Sequence, residues 1–209
     1  MSFNDLTINE YTDKLASKAP VPGGGGASAL CGAVGAALAS MVCNLTIGKK
    51  KFAEFEGELN EILNETQRLQ AELLRLSDED AKVFEPLAKA YSLPKETQEE
   101  IEFKAQVMEK VLHNATIVPL NIMRANAQVI RLHYRLKDIS SMLVISDVGC
   151  GAMAAKSALL SASLNVFINT KAMANREEAE KFNKEANELI AECSQKADET
   201  FEFVKNKLR

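Results

Sequence analysis

Residues 19–48, which read APVPGGGGASALCGAVGAALASMVCNLTIG, are the most informative segment of the sequence for predicting the fold. It carries no charged side chain, and after two prolines and four consecutive glycines it is dominated by alanine, glycine and serine. Its length would permit a membrane span, but few of its side chains are large aliphatics. We therefore predict a helix after the glycines that is buried on all sides by the rest of the protein.

Small side chains recur along this helix at the spacing of one face. They are Ser28, Gly32, Gly35, Ala36, Ala39 and Cys43. Because such a face has no bulky groups to hold a neighbour away, it predicts close approach of another backbone. The triplet Lys49–Lys51 follows, where cations complement the helix dipole.

The flanking sequence also has helical patterning. Thr7 and Glu10 have capping-box spacing, which predicts a helix from Ile8 to about Lys18. An amphipathic pattern runs through residues 59–76 and resumes in residues 101–118 and 122–136. Pro86 and Pro119 predict kinks or breaks between these helices. No stretch shows the period-two alternation of a strand.

Two further helices are predicted in the last third of the chain. Ser146 or Asp147 is suited to cap a helix that continues to about Asn169, and a polar helix over residues 176–207 closes the chain. We expect an all-α fold, with residues 1–209 forming one domain. Its architecture would be a multi-helix bundle of seven to nine helices around the buried Gly/Ala-rich helix.

Composition narrows the classes of protein further. The 209 residues are 46% hydrophobic and 26% charged, which excludes intrinsic disorder, and aromatic residues are only 6%. The net charge of −4 gives no general attraction to nucleic acid or to an anionic membrane. The four cysteines form no C-x-x-C pair, and residues 1–9 are polar. We expect a cytoplasmic protein with free thiols and no nucleic-acid or membrane partner.

Three familiar kinds of site do not match. Lys49 lies too far beyond the glycines for a phosphate-binding P-loop. The Gly24-x-Gly26-x-x-Ala29 spacing follows a Val-Pro pair instead of a strand, and the first acid after it is Glu54, too far on for the ribose, so a dinucleotide site is not indicated. The two histidines and the cysteines lack metal-ligand spacing. We expect neither a metal nor a cofactor.

The glycine run is the first candidate for function. It has a structural interpretation as a flexible turn, although four glycines are entropically costly for that purpose. The functional interpretation is close approach of the backbone to a ligand, with N–H groups at the helix N-terminus directed at an anionic or carbonyl oxygen.

A second candidate is a stripe on the helix that follows Ser146. It consists of Asp147, Gly151, Ala155, Ala158, Ala162, Asn165 and Asn169. Structurally, Asp147 would be a cap and the asparagines would bond to backbone. Functionally, Asp147 and Asn165 would lie in a cleft floored by alanines, where a partly desolvated carboxylate has a raised pKa.

The third candidate is Asp80, which continues the apolar stripe four residues after Leu76. Ser77 and Asp80 have capping-box spacing, which indicates a helix restart. If the helix is unbroken, Asp80 faces the core or a cleft and needs a partner such as Lys50. The lysine triplet is either a solvated helix end or a site for ligand carboxylates.

Several strings together resemble one family. They are residues 20–29 (PVPGGGGASA), 41–42 with 44–46, 48–52 (GKKKF), 146–149 (SDVG) and 165–166. Over essentially the whole chain they resemble the cyclodeaminase/cyclohydrolase family, which comprises the C-terminal domain of formiminotransferase-cyclodeaminase and its stand-alone relatives. One departure is Gly26, where the family commonly has serine, so any hydroxyl role would move to Ser28 or would be absent. The chain is too short for a transferase domain as well, so no transferase activity is implied.

The resemblance implies an all-helical homodimer or higher assembly that acts on a reduced folate, polyglutamylated or not, without metal or nucleotide cofactor. A flat pterin suits a slot lined by small residues, and an anionic glutamate tail suits the triplet Lys49–Lys51 or the amides of the glycine run. The implied activity is methenyltetrahydrofolate cyclohydrolase. The alternatives are formiminotetrahydrofolate cyclodeaminase, which releases ammonia, and a non-catalytic helical binding module.

Roles for individual residues follow from this resemblance. Asp147 would relay protons or stabilise the cationic one-carbon centre, and Lys50 would donate a proton or hold the tail. Asn165 would orient polar groups of the pterin. The remaining substrate-binding candidates are Pro22, Gly23, Gly24, Gly25, Gly26, Ser28, Asn44, Lys49 and Asp80.

Overall fold

The computed structural model describes residues 2–209, and every regular element in that range is helical. The six α-helices are α1 (Ile8–Leu15), α2 (Gly24–Asn44), α3 (Glu56–Tyr91), α4 (Gln98–Ile139), α5 (Ile145–Ala172) and α6 (Arg176–Leu208). Short 3-10 segments cover Phe3–Asp5, Lys50–Phe55 and Met142–Val144. The all-α prediction is confirmed, but the seven to nine helices expected from the sequence are too many.

The helix count differs because α3 and α4 continue through their prolines. Pro86 lies inside α3 and Pro119 inside α4. A proline in a helix interior costs about 3 kcal/mol, because it removes one backbone hydrogen bond and its ring clashes with the preceding turn. In α3, Leu69, Leu73 and Leu76 are completely buried, and full burial of each contributes about 1.5–3 kcal/mol. Tertiary packing therefore offsets the local cost.

The sequence predicted some helix ends correctly and others incorrectly. The capping box of Thr7 and Glu10 is present, although α1 ends at Leu15 and not near Lys18. The predicted cap of α5 is wrong, because its N-cap is Val144 and both Ser146 and Asp147 lie inside the helix. Asp147 is instead an acid in the first turn, where it interacts favourably with the helix dipole.

α2 packs against α3, α4 and α5, and its strip of small residues is buried. A Cβ on Gly35 would lie 3.1 Å from the Gly151 carbonyl oxygen and 3.3 Å from the Ala155 nitrogen, so the backbones of α2 and α5 approach closely. The predicted close approach is confirmed. The expectation of burial on all sides is wrong, because Val34 is 53% exposed and Met41 39% exposed.

α2 and α5 run antiparallel. Gly24 faces Asn165 near the end of α5, whereas Gly35 faces Gly151 near its start. His133 of α4 braces this pair, since its Nε2 lies 2.9 Å from the Gly35 carbonyl oxygen. Burial lowers the pKa of His133 to about 4, so the ring is neutral at pH 7 and Nε2–H donates to that oxygen.

By length and hydropathy, α2 and the segment Met142–Ala172 could each cross a membrane. In this structure 61% and 50% of their most apolar windows are buried within the protein. Because a buried core helix meets the same criterion, these two segments are only weak evidence for a membrane protein.

Candidate active site

A cavity of about 240 Å³ opens where α2 begins. Gly23, Gly24 and Gly25 form one wall, and Asp80 from the middle of α3 forms another. Asn165, from the last turns of α5, closes the third side. Residues of α2, α3 and α5, which are distant in sequence, therefore meet at the glycine run.

The rest of the lining is mainly apolar and partly aromatic. Phe84, Leu87 and Tyr91 continue the wall that α3 provides below Asp80, and Ile168 of α5 faces them. Phe84 is 39% exposed and Tyr91 55% exposed. An apolar cleft with a few convergent polar groups is the usual form of a small-molecule site.

Among residues 2–209, Asp80 is the only one that brings a carboxylate to the lining of this cavity. Its Oδ2 accepts a hydrogen bond from the Gly26 N–H at 2.9 Å. The first backbone bond of α2 joins the Ala27 N–H to the Gly23 carbonyl oxygen, so the Gly26 N–H precedes the helical ladder and needs an outside acceptor. Asp80 thus caps α2 from a different helix.

Glycine at position 25 makes room for this carboxylate. A Cβ on Gly25 would lie 2.1 Å from Asp80 Oδ1 and 2.5 Å from its Cγ, which no real contact permits. A Cβ on Gly24 would meet only Asn165 Nδ2, at 3.9 Å, and one on Gly23 would meet nothing within 4 Å. The glycine run is therefore required for close approach at position 25 in particular, and the flexible-turn interpretation does not account for it.

Burial raises the pKa of Asp80, and the hydrogen bond from Gly26 opposes that rise. Partial desolvation disfavours the carboxylate, whereas the helix N-terminus favours it. A cavity-lining carboxyl group whose pKa is raised by burial is a candidate for proton transfer.

Two hydroxyl groups lie behind Asp80. Ser77 Oγ donates to the Gly26 carbonyl oxygen at 3.0 Å. The Tyr11 hydroxyl is buried near Gly26 and has no hydrogen-bond partner within residues 2–209. Burial also raises the pKa of Tyr11. The expected helix restart at Ser77 is therefore wrong, because both Ser77 and Asp80 bind α2 from an unbroken helix.

The asparagines of α5 bond to backbone through their amide nitrogens, as their structural interpretation predicts. Asn165 Nδ2 donates to the Ser161 carbonyl oxygen at 3.2 Å, and Asn169 Nδ2 donates to the Ala115 carbonyl oxygen at 2.9 Å. Both residues also line the cavity. Their side-chain oxygens are thus available as acceptors for N–H groups of a ligand.

Five of the residues proposed from the sequence line one cavity: Gly23, Gly24, Gly25, Asp80 and Asn165. Pro22, Gly26 and Ser28 are buried behind this wall. The Ser28 hydroxyl donates to the Gly25 carbonyl oxygen at 2.7 Å. It therefore does not replace the serine that the family commonly has at position 26.

Asp147 does not reach this cavity within one chain, contrary to our expectation. It precedes Asn165 by eighteen residues of α5, or about 27 Å along the helix axis at 1.5 Å per residue. Asn44 is the last residue of α2, twenty residues beyond Gly24, or about 30 Å along that axis. The antiparallel arrangement of α2 and α5 separates these two residues from the glycines.

The lysine triplet lies at the same distant end. Lys49 Nζ donates to Ser141 Oγ at 2.9 Å, and Lys50 is exposed at the start of a 3-10 segment. Lys50 is therefore not the partner of Asp80, and within one chain neither lysine can hold a ligand in the cavity.

The small residues between Asp147 and Asn165 also have a different role from the one expected. They form one face of α5 as predicted, but Gly151, Ala155, Ala158 and Ala162 are covered by neighbouring helices. A Cβ on Gly151 would lie 2.2 Å from the His133 ring. These residues permit close helix packing and do not floor a ligand slot.

Sequence reasoning missed the aromatic wall of the cavity. Asp80, Val83, Leu87 and Tyr91 continue the apolar stripe of α3 at helical spacing, with Phe84 beside them. That pattern was available in the sequence, but the assumption that Pro86 breaks the helix hid it. Within residues 2–209 there is no group of three His, Cys, Asp or Glu side chains that could hold a metal ion.

Comparison with known proteins identifies the chain's relatives. The family model described as formiminotransferase-cyclodeaminase matches residues 7–188. The chain is 43% identical to methenyltetrahydrofolate cyclohydrolase of Methylorubrum extorquens, over 97% of each chain. It is 29% identical to mouse formimidoyltransferase-cyclodeaminase, over 94% of this chain but only 36% of the mouse protein.

The fold agrees with these sequence relationships. The crystal structure of formiminotetrahydrofolate cyclodeaminase from Thermotoga maritima superposes with a TM-score of 0.80 at 27% identity. The superposition covers 98% of this chain and 96% of the other. The sequence match and the fold lead to the same conclusion: the chain belongs to the formiminotransferase-cyclodeaminase family.

Proposed function

We propose that this protein is a methenyltetrahydrofolate cyclohydrolase, which converts 5,10-methenyltetrahydrofolate and water into 10-formyltetrahydrofolate. Identity of 43% to a cyclohydrolase over nearly the full length of both chains supports this assignment. The observation in the structure that carries it is the Asp80 carboxylate, held by the Gly26 N–H at the edge of a cavity whose other lining is mainly apolar.

The proposed reaction begins when water adds to the one-carbon centre between N5 and N10. This carbon is amidinium-like and cationic, so the Asp80 carboxylate attracts it electrostatically. Asp80 accepts a proton from the attacking water, which leaves a hydroxyl on a tetrahedral carbon.

Collapse of the tetrahedral carbon completes the reaction. The bond from carbon to N5 breaks, and Asp80 returns its proton to N5. The hydroxyl loses its remaining proton to solvent as the formyl carbonyl forms on N10. One water is consumed and one proton is released, in balance with the loss of the substrate's positive charge.

Other groups bind and orient the pterin in this proposal. The side-chain oxygens of Asn165 and Asn169 accept hydrogen bonds from its N–H groups, since their amide nitrogens are already bonded to backbone. The N–H groups of Gly24 and Gly25 suit its carbonyl oxygen. Leu87 and Ile168 exclude water from the faces of the ring.

Formiminotetrahydrofolate cyclodeaminase activity is the second candidate. In that reaction N10 attacks the formimino carbon on N5, ammonia leaves, and the same tetrahedral position is used. The similarity to a cyclodeaminase structure at 27% identity favours this candidate, although less strongly than the 43% identity favours the cyclohydrolase.

Parallel assays of the purified protein test the assignment. Enzyme-dependent loss of the near-ultraviolet absorbance of the methenyl compound, without ammonia, is the expected result. Enzyme-dependent gain of that absorbance from the formimino compound, with ammonia release, would establish the cyclodeaminase instead. No change with either substrate would leave a non-catalytic binding module.

We also propose that the protein is a homodimer that works in the cytoplasm. Cys31 and Ala154 meet at the seam of α2 and α5, and around it the two helices expose Val34, Met41 and Leu164, which are 39–68% accessible. Large apolar side chains exposed on two packed helices favour a subunit interface there. The four unpaired cysteines support a reducing compartment.

The proposed dimer bears on the candidate residues that lie far from the cavity within one chain. Asp147, Lys49, Lys50 and Asn44 can reach the cavity only from a second copy of the chain. Light scattering after gel filtration should give a dimer for the wild type and a monomer for Val34→Glu. A monomeric wild type would refute both the dimer and any role for these residues in the cavity.

A further inference from the structure

A second cavity adjoins the candidate active site and shares part of its wall. Its volume is about 580 Å³, and Pro20, Val21 and Phe84 line both cavities. From Phe84 the second cavity continues along α3 past Glu85 and Lys89. The two cavities therefore form one groove that begins at Asp80 and follows α3.

The proposed substrate, on which this inference rests, is longer than the first cavity. A reduced folate consists of a pterin, a p-aminobenzoyl ring and one or more glutamates. The first cavity, at about 240 Å³, is smaller than the roughly 300–1,000 Å³ of typical ligand sites. It suits the pterin and its one-carbon bridge, so the remaining arm must extend beyond it.

The chemistry of the second cavity suits that arm. Phe84 exposes an aromatic surface at the junction, where a flat benzoyl ring can pack against it. Beyond it, Lys89 Nζ pairs with Glu85 at 2.7 Å, and both side chains are largely exposed. Because an exposed pair of this kind is weak, a carboxylate of the ligand can take the place of Glu85.

A second ammonium group lines a third cavity, which shares Ala81 and Glu85 with the second and is also lined by Asp78. Lys82 is exposed one turn before Glu85, and it forms no ion pair within residues 2–209. Lys82 and Lys89 thus flank Glu85 along the helix, about one turn to either side of it. Among the described residues, no lysine or arginine lines the first cavity, whereas Lys89 lines the second.

We propose that this groove binds the p-aminobenzoylglutamate arm of the substrate, with Phe84 against the ring and with Lys89 and Lys82 against the glutamate carboxylates. The lysines of α3 then perform the tail-binding role that the sequence had suggested for Lys50. The groove remains open at its far end, so it accepts glutamates added to the first.

Steady-state kinetics with substrates of different tail length test this proposal. The substrates are the methenyl forms of tetrahydropteroate, which has no glutamate, and of tetrahydrofolate with one and with three glutamates. Lys89→Ala should raise KM for the triglutamate about threefold to fivefold, the range for an exposed ion pair. KM for the pteroate should match that of the wild type.

Lys181→Ala is a matched control. Lys181 also pairs with a glutamate four residues away, Glu177, at 2.8 Å, and that pair is similarly exposed. It lies on α6, away from both cavities, so all three KM values should remain those of the wild type. The double variant Lys82→Ala/Lys89→Ala should discriminate between the tail lengths more strongly than Lys89→Ala alone.

Phe84→Ala separates the ring from the tail. It should raise KM about tenfold for all three substrates, because each carries the benzoyl ring. An equal effect of Lys89→Ala on the pteroate and the triglutamate, or no effect on any substrate, would overturn the proposed groove.

Calorimetry keeps the groove testable even if the protein lacks the proposed activity. Binding of p-aminobenzoyl-triglutamate to the wild type should be weakened in Lys89→Ala and unchanged in Lys181→Ala. A protein that turns over neither folate but shows this pattern would refute the proposed function and retain the groove. Activity without tail-dependent binding would retain the function and refute the groove.

Discussion

Both ends of the antiparallel α2/α5 pair combine an acid with a helix N-terminus, but the two acids are placed differently. Asp147 lies in the first turn of its own helix, α5, and interacts with that helix's dipole. Asp80 belongs to α3 and reaches the N-terminus of α2, where Gly25 makes room for it. An acid in its own first turn needs no tertiary contact, whereas Asp80 occupies its position only because two helices meet beside a cavity.

The largest expected effect separates these two acids. Asp80→Asn should lower turnover of methenyltetrahydrofolate at least about 100-fold, the usual contribution of a positioned acid or base. Its melting temperature at pH 7 should equal or exceed that of the wild type, because the amide oxygen can still accept from the Gly26 N–H and no buried charge remains.

Asp147→Asn is the matched variant at the opposite end. We expect nearly wild-type turnover and only a small change in melting temperature, measured in the same absorbance assay and by circular dichroism. A loss comparable to that of Asp80→Asn would mean that a second subunit brings Asp147 into the site.

The pH dependence of activity sharpens the assignment of Asp80. As a base, Asp80 must be ionised, so kcat/KM should fall about tenfold per pH unit below its pKa. Because burial raises this pKa, the acidic inflection should lie above the ordinary value of 3.8. A pH profile without an acidic limb above that value would contradict the role of Asp80.

The raised pKa also has a consequence for stability. A group whose pKa is higher in the folded protein contributes stability below its unfolded pKa, and that contribution is lost as pH rises through the folded pKa. Melting temperatures of the wild type should therefore increase relative to Asp80→Asn as pH falls from about 7 to about 4. A constant difference would show that the fold does not perturb this carboxyl group.

Neighbouring glycines test why Asp80 occupies its position. Gly25→Ala should displace the carboxylate from the Gly26 N–H and lower turnover about tenfold, as expected for loss of a hydrogen bond to a charged group. Gly24→Ala, which meets only Asn165 Nδ2 at 3.9 Å, should have little effect on turnover. Equal effects on turnover in the two variants would attribute the role of the glycines to flexibility.

The smallest expected effect is that of replacing Lys50, which lies beyond the C-terminal end of α2. Lys50→Ala should change KM for mono- and polyglutamylated substrates less than about twofold, within the range of an exposed side chain that makes no contact with the ligand. A substantially raised KM for the polyglutamylated substrate would show that the tail reaches Lys50 of the partner subunit.

The sequence predicted more of the fold than of the site. Helical periodicity, the Thr7–Glu10 box and the small-residue strip of α2 each indicate local structure, and each is confirmed. The prediction of breaks at Pro86 and Pro119 was wrong. The free energy gained by burying the long apolar faces of α3 and α4 outweighs the cost of a proline inside each helix. The same error hid Leu87 and Tyr91, since a helix ending near Pro86 would not have continued the Asp80 face beyond that proline.

Local sequence patterns specify what a single helix can encode: an all-α chain, a glycine-opened helix poor in large side chains, and acids placed at helical spacing. Which acid meets the glycines depends instead on the direction in which α2 and α5 pack. Because α2 and α5 pack antiparallel, Asp147 lies far from Gly24, and Asp80 is the acid that contacts the N-terminus of α2. Spacing along a chain does not specify the register between helices, which is set by the close contact of Gly35 with Gly151 and Ala155.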